Sequence, residues 1–188
     1  MAQGIILAGG FSSRTQSNKM HLSICGKPLI VHTIEAMEPF VNKIFVVTGR
    51  YDEDIRSFIK EDEKIKIIYN KDYEKGMFSS VLCGVNFVED DFFIIPGDIP
   101  FVKKETYQKI LQGSKDVRYP TYEGKEGHPL FLKYGLKEKL LKEDINSNLR
   151  LFRDKQDRET IEVDDKFILR DIDTLEDFER VKKERKNA

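Results

Sequence analysis

Near the start of the chain an apolar run ends in two glycines, followed by small hydroxyl residues and two cations. The segment reads Gly4-Ile5-Ile6-Leu7-Ala8-Gly9-Gly10-Phe11-Ser12-Ser13-Arg14, with Lys19 close behind. Paired glycines let the backbone take positive φ and bring its N–H groups up to a ligand. Consecutive N–H groups in such a turn form an anion-binding concavity. Arg14 adds a planar fork of donors and Lys19 a mobile point charge. Leu7, Ala8, Gly9, Gly10, Ser12, Arg14 and Lys19 thus form a candidate cradle for a nucleoside triphosphate. The spacing fits neither the P-loop nor the dinucleotide-binding glycine pattern.

Phosphoryl and nucleotidyl transfers need neutralised charge and in-line positioning more than a protein nucleophile. A hard cation such as Mg²⁺ takes one or two carboxylates plus substrate phosphates. Asp98, in Pro96-Gly97-Asp98-Ile99-Pro100, follows an apolar run, which is where ligands lie in an open parallel sheet. A turn aspartate capping the next helix is the other reading. A second acidic group stands in Arg170-Asp171-Ile172-Asp173-Thr174-Leu175-Glu176-Asp177. Helix capping accounts for Thr174 and Asp177 but not for Asp171 and Asp173. Gly76, Ser79 and Ser80 open an apolar helix, where their donors serve as a cap or face a nucleobase or phosphate. His128, between Gly127 and Pro129, is either structural or a contact for an acceptor phosphate. A near-neutral pKa would let it supply charge or a proton.

These residues must be placed by strands and helices, and the pattern supplies both. Ile5–Ala8, Lys43–Thr48, Ile65–Tyr69 and Phe92–Ile95 read as buried strands. Between them lie helical segments at Pro28–Phe40, Asp52–Glu61 and Gly76–Val88, with Pro28 near the first turn of its helix. Such alternation predicts right-handed βαβ crossovers and a mainly parallel sheet covered on both faces. After about residue 115 the pattern changes. Strands are expected at Val117–Thr121, Pro129–Leu132, Thr160–Val163 and Phe167–Leu169, and helices at Lys137–Leu141, Asn148–Phe152 and Thr174–Arg185. The expectation is one α/β domain over 1–188, with a nucleotide-binding half (1–115) and an acceptor-side half with a terminal helix (116–188).

Composition narrows the class. At 188 residues one domain with a sizeable core is expected. The 32 basic and 33 acidic side chains leave a net charge of −1, so no global field draws the protein to nucleic acid. No apolar stretch approaches a membrane span. Met1-Ala2-Gln3-Gly4 runs into the first strand with no secretory pattern. Cys25 and Cys83 match no metal spacing and read as reduced thiols, so a cytoplasmic location is expected. His21, His32 and His128 do not cluster as zinc ligands would.

Leu7-Ala8-Gly9-Gly10-Phe11-Ser12-Ser13-Arg14 resembles the opening of the MobA-like nucleotidyltransferases, L-A-A/G-G-x-S-x-R with a lysine soon after. Lys19 and Gly26-Lys27-Pro28-Leu29 continue that likeness. The resemblance implies a single-domain, Rossmann-like, three-layer fold of the nucleotide-diphospho-sugar transferase type. It also implies that Asp98 is a metal ligand, because the family carries D-x-P there. Asp171-Ile172-Asp173-Thr174-Leu175 resembles the family's D/N-I-D/N-T-P, with leucine in place of proline, and offers Asp173 or Asp171 as the second metal contact. Gly76-Met77-Phe78-Ser79-Ser80-Val81 and Gly127-His128-Pro129-Leu130-Phe131 are similar to motifs of the cytidylyltransferase branch. Gly9, in contrast, is the form usual in guanylyltransferases. If residue 9 sits against the base, glycine there leaves room that alanine would fill. Thr15-Gln16-Ser17-Asn18 departs from the family's Met-Gly after the arginine.

The activity implied is Mg²⁺-dependent transfer of a nucleotidyl group, CMP from CTP before GMP from GTP, to a molybdopterin-type phosphate acceptor. Arg14, Lys19 and Asp98 would carry catalysis and His128 would meet the acceptor. A molybdoenzyme partner fits such a product. The alternatives are a guanylyl- or sugar-phosphate nucleotidyltransferase, and a non-catalytic protein that delivers a nucleotide-containing cofactor.

Overall fold

The computed structural model describes residues 1–10, 22–172 and 175–186. Ten strands and seven α-helices are present among them. In chain order they are β1 (Ala2–Ala8), β2 (Ser23–Ile24), β3 (Lys27–Pro28), α1 (Leu29–Met37), β4 (Val41–Thr48), α2 (Asp52–Phe58) and β5 (Ile65–Tyr69). Then come α3 (Met77–Val85), β6 (Phe92–Pro96), α4 (Lys104–Gln112), β7 (Val117–Tyr122), β8 (Lys125–Glu126) and β9 (Leu130–Leu132). The chain closes with α5 (Lys137–Leu141), α6 (Leu149–Arg153), β10 (Arg158–Glu162) and α7 (Leu175–Lys186).

The main sheet runs β10-β7-β9-β6-β1-β4-β5, with β8 attached to β7. Pairs β1–β4, β1–β6, β4–β5 and β10–β7 are parallel. Pairs β6–β9, β7–β9 and β7–β8 are antiparallel. The continuous apolar runs follow from burial on both faces, as parallel sheets require. Ile6, Ile44, Val46, Phe93 and Ile95 meet Ile30, Ile34 and Met37 of α1 and Tyr107 and Ile110 of α4 on one face. Ile5, Leu7, Phe45, Val47 and Ile94 meet Phe78, Val81 and Val85 of α3 on the other. The molecule is thus a single-domain, three-layer α/β fold with a mainly parallel sheet. No helix among the described residues is long and apolar enough to cross a membrane.

Two departures from the sequence expectations have a clear local cause, besides the short strands β2, β3 and β8, which are not among those expectations. Lys166–Leu169 is a 3₁₀ turn and not a strand over Phe167–Leu169. The Asp165 carboxylate accepts the Phe167 N–H and so competes locally with extended backbone. Helix α4 has little sequence signal, because its inward face is only Thr106, Tyr107 and Ile110 within a charged segment.

A small third cluster fixes the loops beside the sheet. Ile24, Leu29, Phe101, Phe167, Ile172 and Phe178 pack together. They tie the β2–β3 hairpin, the loop after β6, the 3₁₀ turn and α7 into one body.

Candidate active site

A cleft of about 780 Å³ opens beyond the carboxyl ends of β1 and β6. Leu7, Ala8, Gly9 and Gly10 form one wall, where β1 ends. At Gly9 a Cβ would lie 2.7 Å from Ser80 Oγ and 3.4 Å from the Thr48 carbonyl. The expectation that glycine leaves spare room at residue 9 is therefore corrected: the Ser80 hydroxyl fills that space. Gly76, with φ +98°, turns the chain into α3 as no side-chain-bearing residue does readily. Gly76, Met77 and Ser80 line the cleft together with Tyr51, Tyr73 and Glu74. Ser79 stands behind them, its hydroxyl engaged with the Asp72 and Gly76 carbonyls at 2.8 Å each.

Beside it lies the loop after β6. Its backbone is held from three elements. Gly97 N–H donates to the Leu7 carbonyl at 2.9 Å, and the Ile172 N–H donates to the Asp98 carbonyl at 3.2 Å. The buried Thr33 hydroxyl of α1 donates to the Gly97 carbonyl at 2.9 Å. Asp98 and Asp171 both line the cleft as a result. Asp171 arrives there without a strand, carried by the 3₁₀ turn and the Ile172–Asp98 bond.

Glu126, Gly127 and His128 complete the wall with Ile168 and Leu169. The His128 N–H donates to the Ile168 carbonyl at 3.0 Å. A Cβ at Gly127 would come within 2.5 Å of that same oxygen, so only glycine allows the approach. His128 Nδ1 is shut off from solvent with no partner among the described residues. Burial first, and the Arg153 charge second, push the imidazole down to about 4. The near-neutral value expected from sequence is thus replaced by a neutral ring at pH 7, which can donate one hydrogen bond but supplies no charge. Glu126 is held as a carboxylate below the ordinary range, burial opposing and Arg153 and Tyr119 favouring the charged form. Arg153 pairs with Glu126 and lies over the Tyr119 ring at 4.1 Å.

Residues 4–160 match the model of the MobA-like NTP transferase domain. The chain belongs to that family. Its reaction class is nucleotidyl transfer. The chain is 28% identical over 176 residues to the molybdenum cofactor cytidylyltransferase of Escherichia coli K12, covering 93% of this chain and 92% of that protein. It is 36% identical over 160 residues to the bifunctional protein GlmU of Methanococcus maripaludis strain C7, covering 77% of this chain. The match spans 37% of GlmU's length. A nucleotidyl transferase structure from Methanothermobacter superposes with a TM-score of 0.83 at 20% identity, covering 98% of this chain and 97% of that one. That likeness speaks for the fold.

In this NTP transferase the cleft gathers nine of the residues singled out from sequence: Leu7, Ala8, Gly9, Gly10, Gly76, Ser80, Asp98, His128 and Asp171. Ser12, Arg14, Lys19 and Asp173 lie outside the described residues. Sequence reasoning missed Glu126, Tyr51, Tyr73, Glu74 and Met77. Glu126 gave no signal, since its charge partner Arg153 stands 27 residues away in sequence. Tyr51 and Tyr73 left a weak one, as aromatic residues just past the ends of strands β4 and β5.

Proposed function

We propose that this protein transfers CMP from CTP to the terminal phosphate of a molybdopterin-type acceptor, releasing pyrophosphate. The observation that carries this reading is the gathering of the glycine turn, Gly9-Gly10, with Asp98 and Asp171 in the lining of one cleft. The end-to-end match to a molybdenum cofactor cytidylyltransferase supports the acceptor class. The acceptor side is the half from residue 116 onward, which contributes Glu126, His128 and Asp171; the half before it receives the nucleotide.

Members of the family commonly use divalent metal ions. No group of three or more His, Cys, Asp or Glu side chains is disposed around a metal position among the described residues. Two carboxylates at the edge of an open cleft suit Mg²⁺, which keeps its waters and takes substrate phosphates for the remaining positions. Asp98 and Asp171 would hold it, and it would neutralise charge on the triphosphate. Backbone N–H groups of the glycine turn, with Arg14 and Lys19, bind the leaving pyrophosphate. His128, neutral, donates a hydrogen bond to the acceptor. An acceptor phosphate is already ionised at neutral pH, so attack at the α-phosphorus needs no general base.

A second reading, transfer to a sugar phosphate, draws on the 36% identity to GlmU. Pyrophosphate release measured with each of the four nucleoside triphosphates separates the two. Release from CTP that requires molybdopterin is expected. Release that requires a sugar phosphate instead would transfer the assignment to the second reading.

A further inference from the structure

Asn70, 4% exposed, lies one residue past β5 behind the cleft wall. The Asp72 N–H donates to its Oδ1 at 3.0 Å. A backbone N–H pairs only with the amide oxygen, so this bond fixes which way the amide faces. Nδ2 is therefore turned toward α3, and both of its hydrogens are taken there. One goes to Ser79 Oγ at 2.9 Å and the other to Ser80 Oγ at 3.0 Å. Each serine oxygen accepts, and each must place its own proton elsewhere. Ser79 gives its proton to the Asp72 and Gly76 carbonyls. The Ser80 proton has no acceptor among the described residues. Ser80 is 3% exposed, yet it lines the cleft. Gly9 lets it do so, since a Cβ at Gly9 would press on Ser80 Oγ.

We propose that Asn70 is a positioning residue that sets the polarity of Ser80, holding that hydroxyl as a hydrogen-bond donor to the nucleotide's base. The inference rests on the nucleotidyltransferase reading and deepens it by giving the base a selector. A fixed donor rewards a base edge that offers an acceptor, such as the O2 or N3 of cytosine. A base that presents an amino or ring N–H at that point leaves two donors facing each other, and buried unpaired donors are costly.

The test is equilibrium binding of CTP, UTP, GTP and ATP, with Mg²⁺, to the full chain and to three variants: Ser80→Ala, Asn70→Asp and the double variant. Asn70→Asp is nearly isosteric and still accepts the Asp72 N–H, but it cannot donate, so Ser80 turns its proton toward the new carboxylate. Each single variant is expected to bind the preferred nucleotide about tenfold more weakly and to rank the four bases less sharply. The double variant is expected to lose no more than the weaker single one, because Asn70 acts through Ser80. An Asn70→Asp protein that keeps the wild-type ranking, or losses that add, would overturn the inference. Should Asn70→Asp not fold, Ser80→Ala decides alone, and an unchanged ranking there would refute the donor role. If GTP ranks first, the cytidylyl choice falls while the double-variant result still judges Asn70. Wild-type protein that binds none of the four overturns both.

Discussion

Leu7 to Gly10 and Asp98 reach the cleft on the ends of β1 and β6, neighbouring parallel strands whose apolar interiors are buried. Glu126, His128 and Asp171 reach it differently, on a two-residue strand, a loop and the exit of a 3₁₀ turn. In the first region strand register and backbone hydrogen bonds do the placing. In the second, polar side chains do it. Asp165, 1% exposed, accepts from the Lys103 N–H and the Thr106 hydroxyl at 2.7 Å and from the Phe167 N–H at 3.0 Å. Glu126, Arg153, Tyr119 and Arg158 form a similar bracket around the β7–β8 hairpin. A change to Asp98 should therefore cost chemistry and leave the fold intact, whereas a change to a placing side chain of the mixed region, such as Asp165, should cost stability.

The largest effect is expected from Asp98→Asn, which keeps the shape of the loop and removes its charge. Turnover should fall by at least about 10²-fold at saturating Mg²⁺, with an unchanged thermal midpoint. Retained turnover, or gross unfolding, would undo this division between the two regions. Asp165→Ala should do the opposite. It strands three donors, two of them buried, and should cost about 3 kcal/mol in urea unfolding, far more than Asp98→Asn.

The next effect is one of pH. His128 is neutral in the folded protein down to about pH 4, whereas in the unfolded chain it takes up a proton near pH 6.5. The unfolded state thus binds more protons between these values, so stability should fall as pH drops from about 6.5 to 4, by at most about 3 kcal/mol. His128→Gln should flatten that limb. Equal slopes for both proteins would show that the ring is not held neutral. The smallest effect is expected at Gly9→Ala, where Ser80 must rotate away from Asn70. The KM for CTP should rise by roughly fivefold to tenfold with little change in stability. Tighter CTP binding would mean that the space beside Gly9 is open after all.

The parallel region is the more legible in sequence for the same reason. The apolar run Ile65–Tyr69 has the bounds of β5, and Lys43–Thr48 and Phe92–Ile95 match β4 and β6 to within two residues at either end. A buried strand writes itself as a local apolar run, and the residue after it inherits a place at the sheet's edge. The mixed region depends on partners far apart in sequence: Asp165 with Thr106, Glu126 with Arg153, His128 with Ile168. No spacing rule reports such pairs. Phe167–Leu169 misleads because three apolar residues in a row look like a strand until Asp165 is seen to cap them. The cleft's polarity is hidden too, since the burial that lowers the His128 pKa comes from elements on either side of it.

Central to the proposed chemistry is transfer of the α-phosphoryl group with its nucleoside. CTP carrying radiolabel at the α-phosphorus, and in a parallel reaction at the γ-phosphorus, should be incubated with the protein, Mg²⁺ and purified molybdopterin. Label from the α position is predicted in the acceptor product, and label from the γ position in pyrophosphate. Label from the γ position in the acceptor would contradict nucleotidyl transfer at this cleft, and label in it from neither position would contradict molybdopterin as the acceptor of CMP.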